Sequence, residues 1–463
     1  MIQKILLINT ILLNSLFAQN NEYLFGFATS NTFTYCDIKD SSFLNSVIKM
    51  SPNILRFPGG AVGNFYHFKG SGYGFDFKEI NQYHGGKFPK RSIGLDKSRA
   101  KKGHNHNYIE DFIVFAQKTN SKAVLVANLF VDNDDIILMI ERLLQEKIDI
   151  VGIELGSELS NRSYFTKGYT IDNYIVAAKK CNDKIKARFP DIPTSIVAAP
   201  LGKPPGHRHN IWNNKLAKLD FYDAIIIHSY AKVVAGRDEY GQMVEEKYEY
   251  NNKEDNFTLY KERALNFLKD EFPNEIRKYN KIFNKPIWIT EWNLQMSKTT
   301  GNTTLQSLFV ANYLLDLLTN KTYNNINLTT YHNLGGRDYS GSIFMSKGEE
   351  VEKRNTFHVF TMLAELFDEV KELEIKKVEK NDLFEYSIHI NNKLKYIYYV
   401  NWSSKKSSVL YEINDFAYVS LFGQSLYDTD LVILKETHNR RDKASYLEIK
   451  PYSITLISAL DHE

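Results

Sequence analysis

"KPIWITEWNLQ", residues 285–295, is a short apolar run that stops at a carboxylate. Ile287, Trp288 and Ile289 suit a strand covered on both faces, as in a parallel sheet lying under helices. Glu291 arrives where such a strand ends, flanked by Trp292 and Asn293. Seven further runs of this kind surround it: "LFGFATS" (24–30), "ILRFPGG" (54–60), "AVLVANLF" (123–130), "IVGIELGSE" (150–158), "TSIVAAP" (194–200), "AIIIHSY" (224–230) and "INLTTYHN" (326–333). Helical patterns separate them, among them "NYIEDFIVFAQKT", "DDIILMIERLLQE", "IDNYIVAAKKCNDKIKARF" and "TTLQSLFVANYLLDLLT". Eight apolar strands alternating with helices predict an α/β fold, a (β/α)8 barrel over residues 19–368.

After "RNTFHVFTMLAELF" the texture changes. "LFEYSIHI", "KLKYIYYVNW", "SSVLYEI", "SYLEIK" and "YSITLISAL" alternate or run apolar between turn residues. They predict a C-terminal antiparallel β-sandwich over residues 369–463, to which residues 19–25 can add a strand.

The chain of 463 residues suits one large domain and one smaller. Hydrophobic residues make up 43% and charged residues 24%, which excludes a disordered chain. A net charge of only +3 gives no case for a nucleic-acid partner. Residues 1–18 read as a signal peptide: Lys4 opens a short apolar core from Ile5 to Phe17, and Ala18 can precede cleavage. The expectation is a secreted or periplasmic protein with no integral membrane segment in its mature form. Cys36 and Cys181 are read as two lone buried thiols rather than a disulfide framework.

In a β/α barrel the chemistry gathers where strands end at the C-terminal face. The polar residues at those ends are Arg56, Asn128, Ser157, Glu158, His228, Tyr230, Glu291 and His332. Two glutamates on separate strands, among hydrogen-bonding groups, are what glycosidic bond cleavage needs: one carboxyl protonated for the leaving oxygen, the other ionised for the sugar. Arg56 would keep Glu291 ionised and Tyr230 could donate to it. Trp292 floors a subsite or packs between loops; His332 binds a hydroxyl or packs. Asn128, Ser157 and His228 are further candidates for binding sugar hydroxyls. Glu154, four residues before Glu158 and on the same face, is read as a structural partner of Arg56.

"LRFPGG", "IELGSELS", "IIIHSY" and "PIWITEWN" together resemble the clan of retaining glycoside hydrolases with catalytic glutamates on strands four and seven. Within it the chain is most similar to the α-L-arabinofuranosidase, β-xylosidase and heparanase-like groups, over about residues 23–463. The resemblance implies a carbohydrate substrate, Glu158 as acid/base, Glu291 as nucleophile, and no cofactor. One position departs: the clan's usual Asn before the acid/base is Ser157 here, which puts the hold on the sugar 2-hydroxyl in doubt. A carbohydrate-binding barrel with impaired catalysis is therefore the rival reading.

The segment at 58–106 is long for a connection and carries Lys87, Lys90, Arg91, Lys97, Arg99, Lys101 and Lys102, with Tyr66, Tyr73, Phe75 and Tyr83 nearby. It suggests an anionic polysaccharide, or else a solvated basic loop. The pairs His104/His106 and His207/His209 raise a metal-dependent hydrolase as a lesser alternative, but no carboxylate spacing accompanies them and no metal site is expected.

Overall fold

The computed structural model describes residues 21–460, except 133, 238–242, 338–340, 348–349, 369–372, 412–414 and 440–444. Residues 1–18, expected to be a signal peptide, lie outside the described residues.

All eight expected strands form, as β1 (Gly26–Ala28), β2 (Ile54–Phe57), β3 (Lys122–Val126), β4 (Ile150–Leu155), β5 (Thr194–Val197), β6 (Ala224–Ala231), β7 (Ile287–Leu294) and β8 (Ile326–Tyr331). They close into one parallel barrel in chain order. The barrel floor is a small apolar cluster of Ile54, Val124, Ala224, Trp288 and Leu328. Trp288 fills it so fully that a Cβ on Gly152 would run into the indole Cη2. Gly152 is thus the gap into which the ring fits.

Helices cover the outside: α1 (Ser41–Met50), α2 (Phe88–Lys101), α3 (Tyr108–Thr119), α4 (Asp135–Gln145), α5 (Ile171–Arg188), α6 (Arg208–Leu216), α7 (Lys253–Asn266), α8 (Phe272–Ile282), α9 (Thr304–Thr319) and α10 (Asn355–Leu363). Caps set several starts: Asp40 accepts from Ser42 N, Asn107 from Ile109 N, and Thr170 with Asn173 forms a capping box.

Helix α9 is buried on every side from Thr304 to Leu317 because it lies between the barrel and the second domain. Polar contacts tie the two. Asn312 Nδ2 donates to the Tyr386 hydroxyl at 2.6 Å, and Trp402 Nε1 donates to Asn312 Oδ1 at 2.8 Å. Lys377 Nζ and the Tyr386 hydroxyl both donate to Asp316 Oδ1, at 2.6 and 2.8 Å.

The second domain is a six-stranded antiparallel sheet of β9 (Leu373–Lys380), β10 (Leu383–Ile390), β11 (Lys393–Asn401), β12 (Asp415–Phe422), β13 (Val432–Asn439) and β14 (Ser453–Ala459). Their order is β9-β10-β11-β14-β12-β13. A two-stranded sheet, Ser407–Tyr411 with Ser445–Ile449, caps a second small core around Ile397, Tyr399, Phe416 and Ile457. Three strands, β9, β12 and β13, escape the sequence pattern. Both sheet edges, β9 and β13, carry mixed charges, which keep an exposed strand from pairing with another molecule while hiding its alternation.

Two expectations are corrected. Among the described residues of the segment 19–25, no strand is added to the sandwich: Asn21–Leu24 is a 3-10 turn leading straight into β1. The basic run at 87–102 is mostly helix rather than loop, since Phe88–Lys101 forms α2, with Pro89 in its first turn. Arg99 is spent internally, on Asp96 Oδ1 at 3.0 Å and the His104 carbonyl at 2.6 Å.

Candidate active site

Strand register does the first work of assembly. Neighbouring β6 and β7 put His228 beside Glu291 and Tyr230 beside Asn293. A register shift between Ile227 and His228 re-aims the end of the strand. Glu158 comes after β4 in a left-handed conformation (φ 52°), in the turn that also holds Gly156 (φ 84°).

Arg56 is the hub. Fully buried, it closes on Glu154 through Nε–Oε1 (2.5 Å) and Nη2–Oε2 (2.8 Å), while Nη1 donates to Glu291 Oε1 at 2.8 Å. Glu154 is therefore the buried partner of Arg56. Burial alone would lower the guanidinium's pKa, but Glu154 and Glu291 raise it, so the cation is permanent.

Glu291 takes a second hydrogen bond from the Tyr230 hydroxyl, 2.6 Å from Oε2. Burial pushes its pKa up; the nearby His228, His332 and Arg56, with the Tyr230 donation, outweigh it and hold the carboxyl well below the usual carboxylate range. Tyr230, half-buried against that carboxylate, is raised well above its ordinary value by desolvation and by the Glu291 charge, and stays a donor.

Glu158 differs. Its side chain is 43% exposed, against 7% for Glu291. Asn161 Nδ2 donates to Oε2 at 2.9 Å, and His228 Nδ1 lies 3.0 Å from Oε1. His228 also reaches Glu291 Oε2 at 3.5 Å, and its Nε2 sits 3.2 Å from Thr290 Oγ1. Thr290 spends its own proton on Glu154 Oε2 at 3.3 Å, so it accepts from the ring. Both nitrogens of His228 are thus placed to donate. Burial opposes the charged ring, but Glu291 and Glu158 overcome this and raise its pKa. One oxygen of each glutamate and one ring nitrogen of His228 lie within 4.8 Å of one another.

The remaining candidates separate into those near the carboxylates and those turned elsewhere. Ser157 is fully buried; its hydroxyl accepts from Arg56 Nη2 at 3.2 Å, and its backbone is clamped by Asn64 on both sides. Asn128 is occupied too, donating to Glu79 Oε1 at 2.9 Å and accepting from Phe130 N at 2.9 Å. Trp292 packs: 1% exposed, it stacks on Tyr313 with centroids 4.1 Å apart, on the helix side of its strand. His332 stands edge-on to Tyr230 at 6.2 Å, partly exposed beside the carboxylates.

A cleft of about 940 Å³ opens from Glu158, His228 and Tyr230 and is also bordered by Asn161, Arg162, Lys203, His207, Arg208, His209, Lys232 and Glu275. None of residues 87–102 borders it. The cleft's cations come from the connections after β4, β5 and β6, which are hard to read in the sequence because they are scattered singly. Asn161, three residues past Glu158 in the same turn, is the one locally visible signal. His104 and His106 are engaged with Tyr108 and Asp111, at 3.3 and 2.7 Å. Among the described residues, the single cluster of side chains spaced to hold a metal is Glu158, His228 and Glu291. That spacing equally describes a histidine bridging two carboxylates.

Residues 260–332, which include β7 and Glu291, match the family model described as "Glycosyl hydrolase catalytic core". None of the curated proteins matches the chain. Among solved structures the chain is similar to the GH51 arabinofuranosidase from Xanthomonas axonopodis pv. citri, at 11% identity and TM-score 0.65, covering 95% of this chain and 97% of that one. The α-L-arabinofuranosidase from Thermotoga maritima aligns at 15% identity and TM-score 0.60, covering 95% and 96%. A 4-O-α-L-rhamnosyl-β-D-glucuronidase from Fusarium oxysporum 12S aligns at 11% identity and TM-score 0.59, covering 95% and 97%. At these identities the likeness is one of fold, a barrel with an appended β domain. The family match over 260–332, on the strand that delivers Glu291, together with this fold supports a glycosidase.

Proposed function

We propose that the protein is a secreted retaining glycosidase acting on a poly- or oligosaccharide by double displacement. The observation that carries this reading is the closeness of the two carboxylates, with oxygens within 4.8 Å. Retaining enzymes space their carboxyl groups by roughly 5–5.5 Å, whereas inverting ones need roughly 6.5–9.5 Å to admit a water.

The two environments divide the work. Glu291, buried, ionised and fixed by Arg56 and Tyr230, attacks the anomeric carbon. The glycosidic C–O bond breaks, its electron pair goes to the departing oxygen, and Glu158 supplies the proton. Water then enters where the leaving group stood. Glu158 takes a proton from it as it attacks the glycosyl ester, and Glu291 departs as carboxylate. The greater exposure of Glu158 suits a group that meets the departing oxygen in the first step and the incoming water in the second. His228 orients it and balances charge between the two acids.

Export is proposed from the leader-like residues 1–18. An anionic substrate fits the cations bordering the cleft, and the Fusarium oxysporum 12S neighbour is itself a glucuronidase.

The test is a screen of the purified chain on plant, algal and animal polysaccharides, with proton NMR to identify the anomer first released. Retention is expected, and Glu291→Gln should lose roughly 10³-fold or more in activity. On an aryl glycoside with a good leaving group, azide should restore turnover to Glu158→Gln but not to Glu291→Gln. Inversion at the anomeric carbon would refute the mechanism. Glycan binding without turnover would favour the impaired-barrel reading, which the engagement of Ser157 with Arg56 supports.

A further inference from the structure

The cleft is lopsided. Glu158, His228 and Tyr230 border it, as do Lys203, Arg208 and His209 from the connection after β5, whereas Glu291 is not on its border. The open space therefore runs from the proposed acid/base away from the proposed nucleophile. In double displacement the sugar over the nucleophile stays and the group protonated by the acid departs. This space is where the departing part of the substrate lies.

One wall is built around the start of α6. His207 caps the helix, its Nδ1 accepting from His209 N at 3.2 Å, so the positive end of the helix faces the cleft. The independent observation is His209. It borders the cleft, is only 5% exposed, and neither of its ring nitrogens has a hydrogen-bond partner. The Ser160 backbone lies close enough to favour the charged ring slightly, but not in hydrogen-bonding geometry. Buried polar groups are nearly always partnered, so an orphaned imidazole facing a cleft asks for a ligand. Burial, with Arg208, His207 and Lys203 around it, pushes its pKa down to about 4, which leaves a neutral ring carrying one N–H donor. Arg208 is fixed in place by donation to the Ser160 carbonyl and by stacking on Phe165 at 5.1 Å. Donors and cations converge here, with Glu158 and Glu275 as the bordering carboxylates. A neutral sugar would not need such a wall.

We propose that the α6 end of the cleft, through His209, Arg208 and Lys203, binds a carboxylate or sulfate group on the leaving-group side of the substrate. The placement rests on Glu158 being the acid/base; the anion site itself does not, and the two can be tested apart.

The experiment is calorimetric titration of the full chain with D-glucuronate, D-glucose 6-sulfate, inorganic sulfate and, as neutral control, D-glucose. Both anionic sugars should bind at least about 10-fold more tightly than glucose, with the difference shrinking as salt rises. Arg208→Gln should weaken them about 10-fold and Lys203→Gln several-fold. Lys203 is exposed, so its variant carries the test even if Arg208→Gln fails to fold. Anionic sugars binding no better than glucose, unchanged affinity in both variants, or binding of inorganic sulfate alone would each overturn the site. Absence of turnover on every glycan would strike the hydrolase reading instead, leaving these affinities as they are.

Discussion

Arg56 and Glu154 meet along two edges, Nε to Oε1 at 2.5 Å and Nη2 to Oε2 at 2.8 Å, with neither side chain exposed. The pair is the foundation under the catalytic carboxylate, since the guanidinium's remaining edge holds Glu291. Breaking a buried pair from one side leaves an uncompensated charge. Arg56→Met should therefore destabilise the chain by about 3–5 kcal/mol in urea unfolding. Adding Glu154→Leu should recover much of that loss but not activity, because Glu291 still lacks its cation. Full stability in the single variant would show that the hub is not structural.

Gly152 and Trp288 make a prediction at the barrel floor. The indole occupies the space a side chain at 152 would need. Gly152→Ala should lower stability by about 1–3 kcal/mol through overpacking, read as a drop in Tm. An unchanged Tm would mean that the floor is looser than its contacts indicate.

Glu275 lines the cleft half-buried, and loss of hydration there pushes its carboxyl up to about 7. A carboxyl raised above its unfolded value makes the native state bind the extra proton, so stability is lost as pH climbs from about 4.5 to 7. Glu275→Gln keeps the shape without the charge. It should add up to about 3 kcal/mol at pH 8 and almost nothing at pH 4. Equal effects at both pH values would contradict this.

His67 stands between Asp135 (2.9 Å) and Glu79 (3.0 Å), tying the segment after β2 to the start of α4. Hydrogen bonds to Asp135 and Glu79 raise it to about 10, against the opposing effect of burial. A raised histidine contributes fully below its unfolded value near 6.5, and that contribution fades as pH approaches 10. Melting curves of the parent and His67→Gln should therefore lie far apart at pH 6 and converge by pH 10. A constant gap would rule the clamp out.

How far the sequence reaches can be judged residue by residue. β7 announces itself because "IWI" is apolar on both faces and Glu291 ends the run; the same logic places Glu158 after β4. Those features are local, set by two consecutive faces of a strand and by the polar residue at its mouth. Trp292 shows the limit: alternation alone does not tell that it points outward to Tyr313 rather than into the cleft. β9, with "LEIKKVEK", fails for a different reason, since an edge strand disguises itself with charge.

What the amino-acid order determined unaided is the barrel, the sheet domain after it, and the pair of glutamates at two strand mouths. These depend on short-range periodicity, which the chain cannot hide where both faces of a strand must be buried. Tertiary structure alone decided that Arg56 shares itself between Glu154 and Glu291, that Ser157 and Asn128 are consumed internally, and that the cleft's cations lie beyond β4, β5 and β6 rather than at 87–102. Those outcomes depend on which distant segments the closing barrel brings within a few ångströms, and no spacing along the chain records that.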